Sequence, residues 1–255
     1  QPNPLMDVGY PDTQASWRVS NDIDLDARPM QQSFDIGADE IGGCYARMNH
    51  LGYDYPIRYN VQDAINESVG GGYLITDTVK VAGTCWGVRF NASAGFSQTV
   101  YINRQFTLRG SYSLSNWALP APLPDGASNA VLDARGQGRV AYINTGGNVT
   151  IQFITLQTGD ASRGGGARVG GAIYNNGTLD LLDSNVWNST ADAGGGLYNN
   201  GGSASLDRDT IGRHALWNYG QPNRALVSDG GGVYVNGGTV TVTGKPGSPI
   251  AEVCG

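Results

Sequence analysis

Short runs that alternate apolar and polar residues recur in the second half of the chain, and each follows a related heptapeptide. The heptapeptide reads GAIYNNG at 171–177, GGLYNNG at 195–201 and GGVYVNG at 231–237. Its tyrosines lie 24 and then 36 residues apart, which predicts one structural repeat followed by a repeat with an insertion of about 12 residues. Alternation with a period of two is typical of β-strands, whereas helices need longer apolar periodicity. The pattern therefore predicts stacked β coils rather than a helical solenoid.

Each predicted coil contains a short strand, a Gly/Asn turn and a second strand. Asparagine and glycine at matching positions favour left-handed turn conformations there. Stacking places like residues above one another, which predicts two columns. The expected interior column is Ile173, Leu197 and Val233, and the neighbouring column is Tyr174, Tyr198 and Tyr234, either as a surface ladder or as part of the core.

The upstream half shows the same architecture with less regularity. Runs such as 78–85, 99–102, 106–110 and 149–153 are rich in β-branched residues and are separated by Gly and Asn. Residues 111–130 lie between these runs and are predicted to form a long loop. Residues 61–69 are predicted to form a helix with Val61, Ile65 and Val69 on one face, and this helix would cap the apolar end of the solenoid.

Residues 55–245 resemble the secreted right-handed β-helix repeat proteins of bacteria. The resemblance rests on VKVAGTC at 79–85, LDARG at 132–136 and GGAIYN at 170–175. It implies an all-β, right-handed parallel β-helix with a short N-terminal capping helix, located outside the cell or on its surface. Segments NPLMDVG at 3–9, DIDLDARP at 22–29 and FDIGADE at 34–40 resemble the sequence that closes the C-terminal end of such proteins, yet here they come first.

We therefore expect two parts: residues 1–43, an acidic extended segment, and residues 44–255, the β-helix with its cap. The first part would dock on the open last coil of a neighbouring copy, or fold back along its own solenoid as a strap. The residues expected to make the docking contact are Leu5, Val8, Phe34 and Ile36. A contact that joins copies head to tail without closing propagates into a filament.

The charge is unevenly placed. Residues 1–41 contain eight acidic residues against two arginines, whereas the net charge of the whole chain is −6. This disfavours nucleic acid or an anionic membrane as a partner, because both need a clustered positive surface. The chain has no apolar run long enough to insert in a membrane, and its N-terminus lacks a signal-peptide pattern, so we expect any export signal to have been removed.

Three cysteines are present, without the spacing of a zinc site. We expect Cys44 and Cys85 to form a disulfide, because the stretch between them looks like a cap folded onto the first coil. Cys254 is left over, either as a free terminal thiol or as a bond to a neighbouring unit. Asp22, Asp24 and Asp26 resemble the start of a calcium loop but lack the glycine and glutamate that complete one, so Ca²⁺ is a weak candidate and no other cofactor is expected.

An active site is a further hypothesis, because β-helix proteins include polysaccharide lyases and glycoside hydrolases. Glycoside cleavage needs two suitably spaced carboxyl groups, and lyase chemistry needs a base with Ca²⁺ or Arg to neutralise charge. Candidate groups are Asp133 with Arg135 and Arg139, Asp180 and Asp183, Asp207 with Arg208 and Asp209, and Arg213 with His214. They match no catalytic motif, and Asp in such turns usually bonds its own backbone.

The sequence supports three hypotheses of function. The first is an extracellular structural protein, either a subunit of a head-to-tail β-helix filament or one unit of a tandem surface adhesin, whose partners are copies of itself. The second is a polysaccharide lyase or glycoside hydrolase acting on an extracellular polymer. The third is a carbohydrate-binding module, which requires Trp86, Trp117, Trp187 and Trp217 to line one surface.

Overall fold

A computed structural model describes residues 43–112, residue 117, residues 130–212 and 222–244, and the strand Glu252–Val253. The chain divides into two units after Gly43, and the second unit contains the described residues from Cys44 onward. Several predicted residues lie outside the described ranges and stay predictions: Leu5, Val8, Asp22, Asp24, Asp26, Phe34, Ile36, Arg213, His214, Trp217 and Cys254.

The second unit is built almost entirely from short strands. Its elements in chain order are β1 (Tyr45–His50), β2 (Tyr53–Asp54), α1 (Val61–Ile65), β3 (Thr78–Trp86), β4 (Arg89–Asn91), β5 (Phe96–Ile102), β6 (Gln105–Arg109), β7 (Ala130–Asp133), β8 (Arg139–Ile143), β9 (Asn148–Gln152), β10 (Ile154–Gln157), β11 (Ile173–Asn175), β12 (Thr178–Leu182), β13 (Asn185–Trp187), β14 (Thr190–Ala191), β15 (Leu197–Asn199), β16 (Ser203–Asp207), β17 (Thr210–Ile211), β18 (Arg224–Ala225), β19 (Val233–Val235), β20 (Thr239–Thr243) and β21 (Glu252–Val253).

The strands stack in parallel on three faces, which confirms the predicted all-β, parallel β-helix architecture. The first face runs β5-β8-β11-β15-β19, the second runs β3-β6-β9-β12-β16-β20, and the third runs β3-β7-β10-β13-β17-β21. Strand β3 is long enough to contribute to both the second and the third face. Each later coil supplies one strand to each face in turn, and β14 and β18 add a fourth, minor contact.

The prediction of two strands per coil was therefore wrong, because each coil has a third side. Strand β13 has only three residues, and β17 only two, too few to show an alternating pattern. Each is separated from the preceding strand by a tight turn containing one residue with positive φ, Asp183 (48°) or Arg208 (58°). Such turns lack the Gly or Asn that usually marks a left-handed position.

The core lies inside the coils. Leu179, Leu181 and Leu206 on the second face point inward and are fully or almost fully buried, as are Ile173 and Leu197 on the first. The strand register places Ile173 beside Leu197, and Leu197 beside Val233. The predicted interior column is thus present, although Val233 is only partly buried because it belongs to the last coil.

The N-terminal end of the stack is covered by antiparallel and helical structure. Strand β1 pairs antiparallel with both β2 and β3, and α1 packs against β1, β3 and β5. The Cys44–Cys85 disulfide joins the residue before β1 to the third-face half of β3. Such a cap supplies hydrogen bonds to the edge of the sheet and covers apolar side chains that would otherwise meet water.

The helix is shorter than the nine residues predicted. Its first turn is capped by Asn60, whose side chain accepts a hydrogen bond from the Gln62 N–H at 2.8 Å. It ends at Ile65 with Asn66 as its C-cap, and the Tyr73 hydroxyl donates to the carbonyls of Ile65 and Glu67. These contacts satisfy carbonyls that would otherwise bond to further helical turns.

The asparagines of the heptapeptide do not adopt the left-handed conformation that was expected of them. The expected left-handed glycine is present at the end of the second and third copies, at Gly201 and Gly237. Left-handed glycines also precede each copy, at Gly170, Gly194 and Gly230, with φ of 68°, 61° and 80°. A Cβ added at Gly194 would lie 2.6 Å from the Leu197 carbonyl oxygen, so only glycine fits there. The backbone reversal before each copy therefore depends on glycine, and the asparagine side chains are free to bond between coils.

Candidate assembly interface and side-chain ladders

A continuous ladder of five stacked tyrosines runs along the outside of the first face. Successive ring centroids are 5.7, 5.1, 5.5 and 5.3 Å apart, and the rings are inclined by 17° or less. The rings belong to Tyr101, Tyr142, Tyr174, Tyr198 and Tyr234. The sequence predicted only the last three. The ladder lies outside the coil interior, yet Tyr101, Tyr142 and Tyr174 are buried in a separate apolar cluster, so the ladder is neither an exposed surface ladder nor part of the main core.

The middle of this ladder is covered by other side chains. The Phe96 ring lies 5.3 Å from Tyr142 and 6.0 Å from Tyr174, and the Arg139 guanidinium lies 4.3 Å above the Phe96 ring. Arg139 is fully buried and donates hydrogen bonds to the carbonyls of Val169 and Ala167. Burial lowers the pKa of Arg139 to about 10. Because Arg139 bonds to these two carbonyls, it holds the 163–169 loop over the ladder. Arg139 does not form a catalytic group with Asp133.

Burial also raises the pKa values of three ladder tyrosines, Tyr142, Tyr174 and Tyr198. The ionised form of each phenol would be poorly solvated between neighbouring rings. The Tyr142 hydroxyl accepts a hydrogen bond from the Asn176 side chain at 3.0 Å, and Asn144 donates to Tyr101 in the same manner at 3.1 Å. The phenols thus stay neutral and take part in a network with the adjacent amides.

Two asparagine ladders run beside the tyrosines. In the outer ladder, Asn200 donates to the Asn176 side chain at 2.8 Å and Asn236 donates to the Asn200 side chain at 2.9 Å. In the inner ladder, Asn175 donates to the Asn199 side chain at 2.7 Å, and both residues are fully buried. These amides bond from coil to coil as the backbone does, which explains the paired asparagines in the first two copies of the heptapeptide.

The interior columns become exposed at the last coil of the described solenoid. Leu206 on the second face is fully buried, but Val242, its partner in the next coil, is 45% exposed. On the first face, Asn199 is fully buried, whereas Val235 beside it is 49% exposed. Within the described residues, β19 and β20 pair on one side only. We name this end the open coil (residues 233–243). Among the described strands, its edges have no hydrogen-bonded neighbour on the outer side, and its apolar side chains are partly exposed.

The opposite end of the stack presents a separate group of exposed apolar side chains. Leu51 and Tyr53 lie at the tip of the β1–β2 hairpin, Tyr59 and Ile75 lie in the loops on either side of α1, and Phe90 lies on β4. All five are more than half exposed. Single exposed apolar residues are ordinary, but several at one end of a solenoid are typical of an association surface.

The structure brings together members of two of the predicted groups, Asp183 from one and Asp207 with Arg208 from the other. Arg208 binds Asp183 through Nε and Nη2 at 2.6 and 2.7 Å, and binds Asp207 through Nη1 at 2.6 Å. The bonds to Asp183 raise the pKa of Arg208. Asp180 lies exposed on β12 and takes no part in this cluster. The two paired carboxylates stabilise the left-handed turns between the second and third faces.

Asp209 differs from its neighbours because it is only 2% exposed. Its Oδ1 accepts a hydrogen bond from the Ser184 N–H at 2.9 Å, and the Ser184 hydroxyl in turn receives one from the Ile154 N–H at 3.2 Å. Burial raises the pKa of Asp209 to about 8. Its contact with Ser184 indicates a structural role, as a side chain that caps backbone groups of the preceding coil.

The tryptophans do not form a single surface. Trp117 stacks on Tyr112 at 5.9 Å and lies 5.5 Å from the Arg47 guanidinium, near the cap. Trp86 and Trp187 lie on the third face, in one outward column that also contains Asp133 and Gln157. These two tryptophans could not be paired from the sequence, because the third strand of each coil carries no recognisable pattern.

Neither a metal site nor a membrane-spanning helix is present in the described part of the chain. Among these residues, no group of three or more His, Cys, Asp or Glu side chains is placed to hold a metal ion. In the same ranges, no helix has the length and apolar character needed to cross a bilayer. Comparisons with known protein families, with curated proteins and with solved structures find nothing that matches this chain.

Proposed function

We propose that this chain is an extracellular structural protein that assembles head to tail, as a subunit of a β-helix filament or as one unit of a tandem surface adhesin. The observation that carries the proposal is the exposure of Val235 and Val242 at positions that are buried in every earlier coil. Covering these two side chains and pairing β19 and β20 with further strands would continue the solenoid and remove apolar area from water.

The first 43 residues supply the pattern that such an added coil needs. Residues 23–27 read IDLDA and residues 34–36 read FDI, so apolar and acidic residues alternate with the period of a strand. Laid beside β19 and β20, their apolar side chains would face the exposed valines and their aspartates would face water. We assign Phe34 and Ile36, together with Leu5 and Val8, to this contact.

Chain connectivity favours a contact between copies. The segment joins the solenoid at Cys44, which the disulfide fixes to the first coil, so its point of attachment is at the end of the solenoid opposite the open coil. A second copy stacked on the open coil brings its own segment directly to β19 and β20. The exposed Leu51 and Tyr53 would approach the same junction. A contact of this heterologous kind repeats indefinitely because it does not close.

The disulfide supports a location outside the cytosol. Disulfides persist in oxidising compartments and are rare where glutathione keeps thiols reduced. A protein exposed to proteases outside the cell also gains from a stack in which every coil is hydrogen-bonded to two neighbours. We therefore place the assembled protein outside the cell or on its surface.

Sedimentation velocity over a wide range of protein concentration, combined with electron microscopy, tests the proposal. Assembly should rise with concentration and yield rods with an axial repeat of at least about 24 Å, the height of the described stack at the usual strand spacing. Rods should shorten when free peptide 1–43 is added, because the peptide would occupy open coils. A monomer at all concentrations that also fails to bind the peptide would contradict the proposal.

The enzymatic alternative retains one supporting observation, the raised pKa of Asp209 beside two other carboxylates. An acid catalyst needs a carboxyl group that holds its proton near neutral pH. However, Asp209 is buried and Asp183 and Asp207 are occupied by Arg208, so this cluster offers a polymer no free carboxylate. Release of new reducing ends or unsaturated products from plant or bacterial polysaccharides, lost in D209N, would favour the alternative.

A further inference from the structure

A groove of about 450 Å³ lies along the turns that follow the third-face strands. Its lining combines polar side chains with apolar surface and comes from three successive coils. The lining residues are Asp133, Arg135, Gly136, Thr158, Gly159, Asp160, Asn188 and Thr190. Such a surface suits a ligand that presents hydroxyl groups together with apolar C–H faces.

Beside the groove, the column of Trp86, Asp133, Gln157 and Trp187 forms a connected platform. The Trp187 indole N–H donates to the Gln157 side chain at 2.9 Å, and Gln157 donates to Asp133 at 3.1 Å. These bonds fix the side chains before any ligand arrives, which lowers the entropy cost of binding. The two tryptophans are three coils apart, about 14 Å at the usual strand spacing, which matches an extended chain better than a single small molecule.

Arg135 supplies an exposed cation at the groove. The two carboxylates of the lining are engaged elsewhere: Asp133 accepts hydrogen bonds from the side chains of Gln157 and Thr158, and Asp160 pairs with Arg163 at 3.6 Å. The Arg135 guanidinium lies 4.2 Å from the centre of the Trp86 ring, and, unlike Arg163, it forms no ion pair within the described residues. Its backbone is held in place by hydrogen bonds from its N–H to Asp133 at 2.7 Å and to Thr158 at 3.2 Å. Trp86 is still 37% exposed, so aromatic surface and an available cation lie side by side.

We propose that this groove binds an acidic polysaccharide that runs along the solenoid axis. Sugar rings pack their C–H faces on Trp86 and Trp187, because these side chains combine a broad apolar surface with a polar edge. A carboxylate of the chain pairs with Arg135, and sugar hydroxyls bond to Thr158, Asn188 and Thr190. The groove lies along the turns after the third-face strands and includes no residue of the open coil, so binding does not depend on head-to-tail assembly.

Titration calorimetry on the full chain, with hexagalacturonate as the acidic probe and cellohexaose as the neutral one, tests the assignment. The variants are Arg135→Asn, which keeps a residue that tolerates positive φ, and Trp187→Ala, with Trp86→Ala as a second aromatic variant should the first fail to fold. Arg89→Asn and Phe90→Ala are matched controls, since both side chains are exposed on the cap side. Thermal unfolding checks that each variant is folded.

Saturable binding of hexagalacturonate that weakens by about tenfold in each groove variant, and is unchanged in both controls, supports the proposal. That binding should also weaken with added salt, as expected for an exposed ion pair. Absence of saturable binding to either probe overturns it. Equal affinity for both probes with Arg135→Asn unaffected overturns the assignment of an acidic ligand, and binding unchanged in all groove variants places the site elsewhere.

Discussion

Val242 stands directly beside Leu206 in the second face, one coil further along, yet Leu206 is fully buried and Val242 is 45% exposed. The two side chains have the same position in the pleat and the same inward direction. What differs is that Leu206 has a following coil and Val242, within the described residues, does not. The relationship identifies Val242 as a position of the interior column that the described residues leave partly exposed, and this is the position that the proposed head-to-tail contact would cover.

Replacing Val242 by aspartate should block assembly while leaving the isolated chain folded. The charge would be buried in the junction without a partner, which costs several kcal/mol at an interface, whereas it stays solvated in the monomer. Val227→Asp is the matched control, because Val227 is exposed but lies outside the interior columns. Light scattering after size-exclusion chromatography measures both. Normal assembly of V242D would contradict the role given to the open coil.

The stability of the folded chain should decrease as pH rises from about 4 to about 8, in part through Asp209. Its pKa is raised from 3.8 to about 8 by burial, so the folded state holds a proton that the unfolded state has already released. The resulting contribution is present below pH 4 and is lost as pH approaches 8, by on the order of a few kcal/mol.

Asp209→Asn should flatten this part of the stability curve, because an amide does not ionise and can still accept the Ser184 hydrogen bond. Asp180→Asn is the control, since Asp180 is exposed and should leave the slope unchanged. Urea unfolding at a series of pH values gives the slopes. If D209N and the original chain show parallel curves between pH 5 and 8, Asp209 does not hold its proton in the folded state.

Removing the disulfide should destabilise the cap. The Cys44→Ala, Cys85→Ala double variant opens a loop with a sequence separation of 41 residues, and the chain-entropy relation gives a loss of about 4 kcal/mol. Denaturant unfolding under oxidising conditions measures the difference. The original chain treated with reductant serves as the control and should match the variant. A double variant as stable as the oxidised chain would show that the cap is held by packing alone.

Asn199→Ala should cost more stability than Asn200→Ala, although the two residues are adjacent. Asn199 is fully buried and donates to the carbonyls of Gly202 and Gly237 at 2.8 and 2.9 Å. Its loss leaves buried groups unsatisfied, at about 1–3 kcal/mol. Asn200 lies in the outer ladder, where water can replace a lost partner. Thermal unfolding of both variants compares them, and equal destabilisation would remove the distinction between the inner and outer ladders.

The coil repeat could be predicted because the last three coils carry it in their sequence. Tyr174, Tyr198 and Tyr234 share a glycine-flanked heptapeptide, so their stacking follows from the spacing alone. Tyr101 and Tyr142 belong to the same ladder but lack that heptapeptide. Their signal is a tyrosine between two apolar residues, as in Val100-Tyr101-Ile102, a pattern too common to define a register without the strand pairing.

The clusters of charged side chains were harder to predict from the sequence, because their members come from turns that stack only in the folded chain. Asp183, Asp207 and Arg208 come together since two turns stack, and the sequence shows neither turn: the left-handed residues in them are Asp183 and Arg208 themselves. The sequence groups Arg139 with Asp133 because the two residues are close in the chain. The chain turns from the third face to the first between them, and Arg139 faces the tyrosine ladder instead.

Coverage of the open coil by residues 1–43 of another copy is tested most directly by cysteine pairing. One variant carries Val242→Cys and a second carries Ile36→Cys, both with Cys254→Ser so that Cys44 and Cys85 are the only other cysteines. The two are mixed under mild oxidation and analysed by mass spectrometry. We predict a disulfide-linked dimer containing one chain of each kind. If mixed dimers do not form, but a chain carrying both substitutions closes its own 36–242 disulfide, the segment folds back on its own solenoid and the head-to-tail account is wrong.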